Sequence, residues 1–517
     1  MIAPVSGLVG LSQAGIDAVP HVDWGLLSPV LGPSVAILLV LLLDAAGPQR
    51  RSLRRVHDAI ALLGLLSSVA AVLSLAARGA EGSTMCVPSS GLQLPACSFS
   101  VSTLTLTLQG VILAGAVICL LLAVDGDGAA DRPPHHVLFL AAVVGALVLP
   151  GARDLITLVV ALETASLPAV GLVGLRRDAP GAQGAMTLLF TAIGSLGLLL
   201  LGTALLLLAT GSLHLERISG TLSDPSLPTP VRAVAVLGAL LAASGVAFKL
   251  SAVPFHLWTP DTYAGAPLPV AAFLAVVSKA AGLSALVVLL ALGLPALGGI
   301  WAPVIGVVAA VTVTVGNLVA LRQRVAVRLL AWSTVAQAGW VLLPLAAASG
   351  GTPTAIRSAV AASVGYLAAY IAASLAAFSV VVVLGRHHPA AEEHSLDAYR
   401  GLVRREPVAS VVLAFALACL AGLPPGVMGL VAKVIVVRPL VDVSAWTLAG
   451  VAAVNVILGL VYYLRWAALL FTPARGEAIT WRVRVAEGLA LGASGAACVA
   501  LSVWPQAIAG LLPTVLR

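Results

Sequence analysis

Residues Phe248–Gly282 read FKLSAVPFHLWTPDTYAGAPLPVAAFLAVVSKAAG. Lys249, His256 and Lys279 stand in otherwise apolar sequence, and Pro254, Pro260, Pro267 and Pro269 fall between the two lysines. Proline removes a backbone donor and its ring collides with the preceding turn, so the stretch reads as a helix broken between two lysines. A lysine at bilayer depth costs at least about 2.5–3.5 kcal/mol and is kept where it faces protein or a water-filled cavity. Interrupted backbone at that depth is tolerated under the same condition. Two costly features in one segment predict an ion pathway. The plainer alternative is that both lysines snorkel to the interface from helix ends, with the prolines in a loop; His256 and Asp261 in the same segment weigh against it.

The surrounding chain supports a membrane setting. Of its 517 residues 60% are hydrophobic and 9% charged, with a mean hydropathy of +1.08, which leaves too few charges to cover a soluble fold. Apolar runs long enough to cross a hydrocarbon core of ~30 Å occur fourteen times. They lie at about 29–46, 56–77, 102–124, 136–151, 153–174, 184–210, 231–262, 268–292, 300–320, 325–347, 358–385, 407–437, 446–471 and 484–510. The expected fold class is therefore an all-α polytopic membrane protein. No Lys or Arg precedes Arg50, so the first run lacks the basic flank of a cleaved signal peptide and reads as a retained helix.

The net charge of +7 would suggest nucleic acid for a soluble protein, but here the arginines sit in short loops between spans and report topology instead. Alternate loops beginning with the one that carries Arg50 hold 18 arginines, and the opposite loops hold 7. The only lysines, Lys249, Lys279 and Lys433, are left inside spans. This bias predicts both termini outside and the loop from Arg386 to Glu406 inside.

Glu163, in RDLITLVVALETASLP, is the only carboxylate placed deep in a span. Alone it would take up a proton unless a cation lay nearby, and Lys249 is the natural partner. The twelfth run, SVVLAFALACLAGLPPGVMGLVAKVIVV, repeats the design of the seventh: Pro424, Pro425 and Gly426 break it and Lys433 follows. Broken, lysine-bearing spans in two halves of a chain point to an inverted-repeat transporter with its working site at the breaks. Gln337, Asn455, Tyr462, Tyr463 and Arg465 add polar atoms; Gln337 reads equally well as a water ligand and as interhelix packing.

Cys119, Cys419 and Cys498 read as small packing residues. Cys86 and Cys97 share a loop on the predicted outer side, where oxidising conditions allow a disulfide. No cysteine spacing suggests a metal or an iron–sulfur cluster. Asp44, Asp58, Asp125, Asp127 and Asp131, near span ends or in a connection, read as water-facing. His387, His388, Glu392, Glu393 and His394 read as a solvated loop, because their spacing matches no compact ligand motif.

The block GVAFKLSAVPFHLWTPDTYAGAPLPVAAFLAVVSKAAG resembles the central signature of the subunit N family of proton-translocating NADH-quinone oxidoreductase, respiratory complex I. DLITLVVALETASLP, GNLVALRQRVAVRLLAWSTVAQAG, LAGLPPGVMGLVAKV and NVILGLVYYLR look like the same family, in the same order. The resemblance implies an antiporter-like subunit with broken helices 7 and 12 and two inverted five-helix repeats. Helices 1–3 would occupy 1–135, the first repeat (helices 4–8) 136–292, the second (helices 9–13) 293–471, and helix 14 472–517. By position, it implies that Glu163 tunes Lys249, Lys279 is the central relay, Lys433 lies on the exit side and His256 helps to connect the halves. A lysine in span twelve favours subunit N over its paralogue M, which generally has glutamate there, and the lack of a long amphipathic carboxy-terminal extension argues against paralogue L. Thr187 and Leu188 stand where the family usually has Lys-Tyr, and Gln337 where it usually has histidine.

The implied activity is proton conduction by a subunit with no redox centre, driven by electron transfer elsewhere; NADH, FMN, iron–sulfur clusters and quinone would belong to other subunits. Its partners would be the other membrane subunits, including antiporter-like paralogues and small membrane subunits, in the lipid bilayer of a bacterial-type cell membrane, with no nucleic acid. Two rivals remain: a subunit of a multisubunit sodium/proton antiporter, and a structural scaffold whose buried lysines pin helices together. The sequence shows no nucleotide loop, metal set or nucleophile arrangement.

Overall fold

Hydrocarbon offers no hydrogen-bond partner to a peptide group, so apolar runs of this length satisfy their own backbone as helices. The computed structural model describes residues 22–46, 51–87, 96–124, 132–387, 395–473 and 483–508. Its helices are α1 (Ser28–Ala46), α2 (Arg51–Ala77), α3 (Thr103–Ala123), α4 (Arg132–Val148), α5 (Leu155–Gly174), α6 (Ala179–Thr210), α7 (Leu215–Leu222), α8 (Thr229–Leu250), α9 (Trp258–Gly265) and α10 (Leu268–Val287). They continue as α11 (Gly298–Ala320), α12 (Ala326–Leu342), α13 (Pro353–His387), α14 (Leu402–Arg405), α15 (Pro407–Ala421), α16 (Val427–Asp442), α17 (Trp446–Phe471) and α18 (Val485–Val503). Among the described residues thirteen helices are long and apolar enough to cross a membrane, some extended by 3-10 or π turns. The pair α15 and α16, each too short alone, accounts for the remaining expected span.

Polar residues mark where helices begin. Ser102, Asp154 and Asp178 accept hydrogen bonds from the amides of Thr105, Thr157 and Gly181, satisfying donors that the first turns of α3, α5 and α6 leave open. Between spans, small residues let helices approach closely. A methyl group on Gly145 of α4 would strike the α5 backbone at Ala161–Ala165, and one on Gly316 of α11 would strike Ala336 of α12. In the bilayer these contacts carry the packing that the hydrophobic effect supplies in water.

Burial is uneven in a way that locates the site. Every residue of α10 from Val270 to Val287 is buried, Lys279 included, whereas α1, α6, α17 and α18 leave large side chains such as Leu42, Leu208, Ile457 and Val503 exposed. The helix with the central lysine is thus the innermost, and the outer helices present a lipid-facing surface.

Three findings add to or correct the sequence reading. An antiparallel hairpin, β1 (Gly82–Val87) with β2 (Ala96–Val101), follows α2, and within it Cys86 lies opposite Cys97 and is bonded to it. Asp58 is buried, because Arg132 and His136 of α4 bond its two carboxylate oxygens; it does not face water. Asp44, by contrast, is only partly covered. The residues Asp125, Asp127, Asp131, His388, Glu392, Glu393 and His394, the side chain of His387 and both termini lie outside the described residues.

Candidate functional site: two broken spans and their lysines

The first break begins where α8 ends at Leu250. Ser251 turns left-handed (φ +62), and the amide of Ala252 reaches back to the carbonyl of Ala247 at 3.1 Å. This six-to-one closure is the Schellman motif, and it leaves carbonyls of the last turn open. One of them, on the penultimate helical residue Lys249, accepts from Lys279 Nζ at 3.2 Å. The same ammonium donates to Ser251 Oγ at 2.5 Å and sits 4.6 Å from the ring centre of Trp258, the first residue of α9. Ser251 Oγ is in turn 2.5 Å from Thr259 Oγ1, so a hydroxyl pair continues from the ammonium.

The second break has the same local form. The helix α15 ends at Ala421, Gly422 turns left-handed (φ +79), and the amide of Leu423 reaches the carbonyl of Ala418 at 3.0 Å. The penultimate residue is now Leu420, and its carbonyl accepts from Lys433 Nζ at 3.2 Å; the Ala421 carbonyl accepts from the same ammonium. Trp340 of α12 lies under this ammonium, 5.6 Å to the ring centre. A helix carboxy-terminus carries partial negative charge and unpaired acceptors, so each break offers a buried ammonium the partner it needs.

Lys249 occupies the first break as a side chain as well. Its ammonium donates to Ser166 Oγ at 2.9 Å and to the Ala165 carbonyl at 3.2 Å, both on α5. Glu163 stands one turn earlier on α5, half-buried, and makes no ion pair with Lys249. His256, buried in the break, packs edge-on against Trp332 of α12 at 5.5 Å. The first break is also joined to the following helices by the Val253 amide donating to Thr312 Oγ1 of α11 and by Asp261 facing Arg328 of α12 at 3.7 Å.

Gln337 of α12 is buried in a neutral network. Its Nε2 donates to Tyr463 Oη of α17 at 3.1 Å, and its Oε1 accepts from Tyr366 Oη of α13 at 2.5 Å, while Ser333 Oγ also bonds Tyr463. Nearby, Tyr370 of α13 donates to Thr334 and to the Ala275 carbonyl of α10, one turn from Lys279. Thr187, half-buried, bonds back to the Gln183 carbonyl of its own helix, and Leu188 is buried. The structure therefore brings Lys249, Lys279 and His256 to one break with Glu163 close by, and places Lys433 at the other. Sequence reasoning missed Ser251, Thr259, Ser166, Trp258 and Trp340. Ser251 and Trp258 lay inside the quoted motif, but nothing in the pattern said that they touch Lys279.

Chemically the site holds three buried ammonium groups on oxygen acceptors, one nearby carboxylate and chains of hydroxyls, with no metal-ligating cluster among the described residues. Such a set can bind and exchange protons.

The family described as NADH:quinone oxidoreductase/Mrp antiporter, TM, matches residues 152–459, which contain both breaks. The chain is 42% identical to NADH-quinone oxidoreductase subunit N 2 of Streptomyces griseus over 92% of its own length and 87% of the relative's. It is 44% identical to NADH-quinone oxidoreductase subunit N of Salinispora tropica, over 87% and 84% of the two chains. A chain of respiratory complex I from Thermus thermophilus superposes with a TM-score of 0.75 at 28% identity, covering 94% of this chain and 99% of that one. A chain of the Mrp complex from Dietzia superposes with a TM-score of 0.80 at 21% identity, over 95% of this chain and 96% of that one, a likeness of fold. By these matches and by its paired, lysine-bearing breaks, the chain belongs to the NADH-quinone oxidoreductase subunit N family of antiporter-like membrane proteins.

Proposed function

We propose that the chain is a proton-translocating membrane-arm subunit of an NADH-quinone oxidoreductase, and that it moves protons through Glu163, Lys249, His256, Lys279 and Lys433 without a redox centre of its own. NADH, FMN, iron–sulfur clusters and quinone belong to other subunits in this reading, and the partners are the other membrane subunits of the complex, including antiporter-like paralogues. The observation that carries it is the recurrence of one device: an ammonium seated on the penultimate carbonyl of a helix that stops inside the bundle. A scaffold needs helices pinned, and unbroken apolar spans do that at lower cost than buried ammonium groups.

Both termini outside and a bacterial cell membrane complete the proposal. The bonded Cys86–Cys97 pair supports this orientation, since its hairpin lies on the side opposite the arginine-rich loops and disulfides persist in oxidising compartments. Labelling a cysteine introduced near His394 with an impermeant reagent on sealed cells is expected to fail; success reverses the topology.

The test of function is Lys279→Ala in the assembled complex. Assembly is expected to persist while NADH-driven proton pumping into sealed vesicles falls. Normal pumping at a normal level of complex removes Lys279 from the path. Flavin and iron–sulfur proteins in the mild-detergent preparation are expected to accompany the chain; their consistent absence would favour a multisubunit sodium/proton antiporter.

A further inference from the structure

Away from the lysine line, the ends of α1, α2 and α4 on the arginine-rich side gather a second group of titratable side chains. Asp58 of α2 accepts from Arg132 Nη1 at 2.7 Å on one oxygen and bonds His136 Nε2 at 2.8 Å on the other. His57, its neighbour on α2, is 4% exposed, and neither ring nitrogen has a hydrogen-bond partner. His136 is equally buried, and its Nδ1 is also unpartnered. Burial of the His57 ring opposes a charge on it, Asp44 of α1 and Asp58 favour one, and His136 acts against it. His135 meets His136 edge-on at 5.5 Å and stacks on Phe139, and Arg55 is exposed.

A bolt between α2 and α4 would account for Arg132, Asp58 and His136, but not for the rest. It leaves three bare imidazole nitrogens in the interior, each costing about 1–3 kcal/mol unless water or another group meets it. Two imidazoles beside one carboxylate suit a proton that arrives by water and leaves again.

We propose that His57, Asp58 and His136 form a one-proton binding site at the inside end of the α1–α2–α4 corner, separate from the line of Glu163, Lys249, Lys279 and Lys433. The separation follows from α4. Gly145 packs against Ala161 and Ala165, which bracket Glu163 on α5. His136 precedes Gly145 by roughly 13 Å of helix at 1.5 Å per residue, and the buried residues between them, Phe139, Leu140, Ala142 and Val143, are apolar. On the topology proposed above, the site lies towards the inner aqueous phase and would exchange its proton with it, as a local store at the mouth of the subunit.

The test counts protons on the purified, assembled complex and does not use its electron-transfer activity, so its outcome is independent of the function proposed above. Proton uptake is measured from about pH 8 to about pH 5.5, where imidazole titrates, together with the imidazolium bands of infrared difference spectra. The double variant His57→Gln with His136→Gln is expected to take up one proton fewer per complex. Asp58→Asn is expected to move that step to lower pH, because the carboxylate that favours a charged imidazole is gone. Uptake by the double variant equal to wild type overturns the site. Should the double variant not assemble, His57→Gln alone decides: it leaves both bonds to Asp58 in place and is expected to diminish or displace the step, and an unchanged curve overturns the proposal.

Discussion

The two breaks share a backbone and differ in what surrounds the ammonium. In both, a Schellman closure ends a helix inside the bundle and the penultimate carbonyl accepts from a lysine. In the second, the left-handed residue is Gly422, which adopts that conformation freely, and the other acceptor is the Ala421 carbonyl. In the first, the left-handed residue is Ser251, at a cost of about 1–2 kcal/mol for an L-residue, and its hydroxyl is the second partner of Lys279. Carbonyls only accept, so the Lys433 seat suits an ammonium. A hydroxyl both donates and accepts, so the Lys279 seat also suits the neutral amine that remains when the proton leaves. On the function proposed above, the contrast would make Lys279 the readier exchanger of the two and give the strained serine a purpose.

The largest effect expected from this contrast is on coupled pumping. Lys279→Ala should lower it by roughly tenfold or more, a change of about 1.4 kcal/mol or greater in the limiting step, and Lys433→Ala should lower it less. Equal losses, measured at matched assembly in sealed vesicles, would show that the hydroxyl at the first break confers no advantage.

A sharper version uses Ser251 itself. Ser251→Gly gives the first break the glycine of the second, and Ser251→Ala removes the hydroxyl while keeping a side chain in the left-handed position. Both should lose pumping to the same extent, by several-fold, because both lose the partner of Lys279. They should differ in thermal stability, with the glycine variant the more stable by about 1 kcal/mol. Pumping that tracks stability instead of the hydroxyl would reduce Ser251 to a turn residue. The reverse exchange, Gly422→Ala, should destabilise, since its Cβ would approach Lys433 Cδ and Nζ at 3.1 Å in a strained conformation.

Much of this architecture is legible in the sequence because the bilayer imposes strong rules. Continuous apolar runs could only be helices, prolines clustered beside lysines in two of them marked breaks while the lone Pro33, Pro168 and Pro303 stay inside helices, and lysines at depth needed a protein-lined seat. The hairpin between α2 and α3 escaped because polar residues and two cysteines carry no clear period of two over so short a stretch. The seats escaped for a different reason. Lys279 rests on a carbonyl 30 residues away and Lys433 lies over a tryptophan on another span, and main-chain acceptors leave no mark in side-chain pattern. Glu163 shows the same limit: its depth was readable, but the first contacts of Lys249 are Ser166 and a carbonyl one turn further along the helix. Asp58 was misread because its proximity to a span end says nothing of Arg132 and His136, which belong to a distant segment.

That geometry sets the expected size of a third effect. Since Glu163 makes no direct bond to Lys249, Glu163→Gln should reduce pumping less than Lys279→Ala does, and Glu163→Asp should retain more activity than Glu163→Gln. Equal, near-normal pumping in both variants at matched assembly would return Glu163 to a packing role.

The smallest effect concerns how the first break is tied down. It is joined to α12 by His256 against Trp332 and by Asp261 facing Arg328, whereas the second break is joined to α18 by the Met428 amide donating to Ser502 Oγ at 3.4 Å. The Asp261 and Arg328 side chains are 44% and 49% exposed and 3.7 Å apart. Pairs this open are screened by solvent and contribute about 0–1 kcal/mol, so Asp261→Asn should change the melting of the complex little and leave pumping within error. His256 is buried against an indole, so His256→Ala empties space in a packed contact and should cost more, about 1–3 kcal/mol by the usual toll of core truncation. If Asp261→Asn nevertheless lowers pumping as far as His256→Ala at matched assembly, the exposed pair is transmitting movement between the first break and α12, and the link between the two breaks is electrostatic as well as packed.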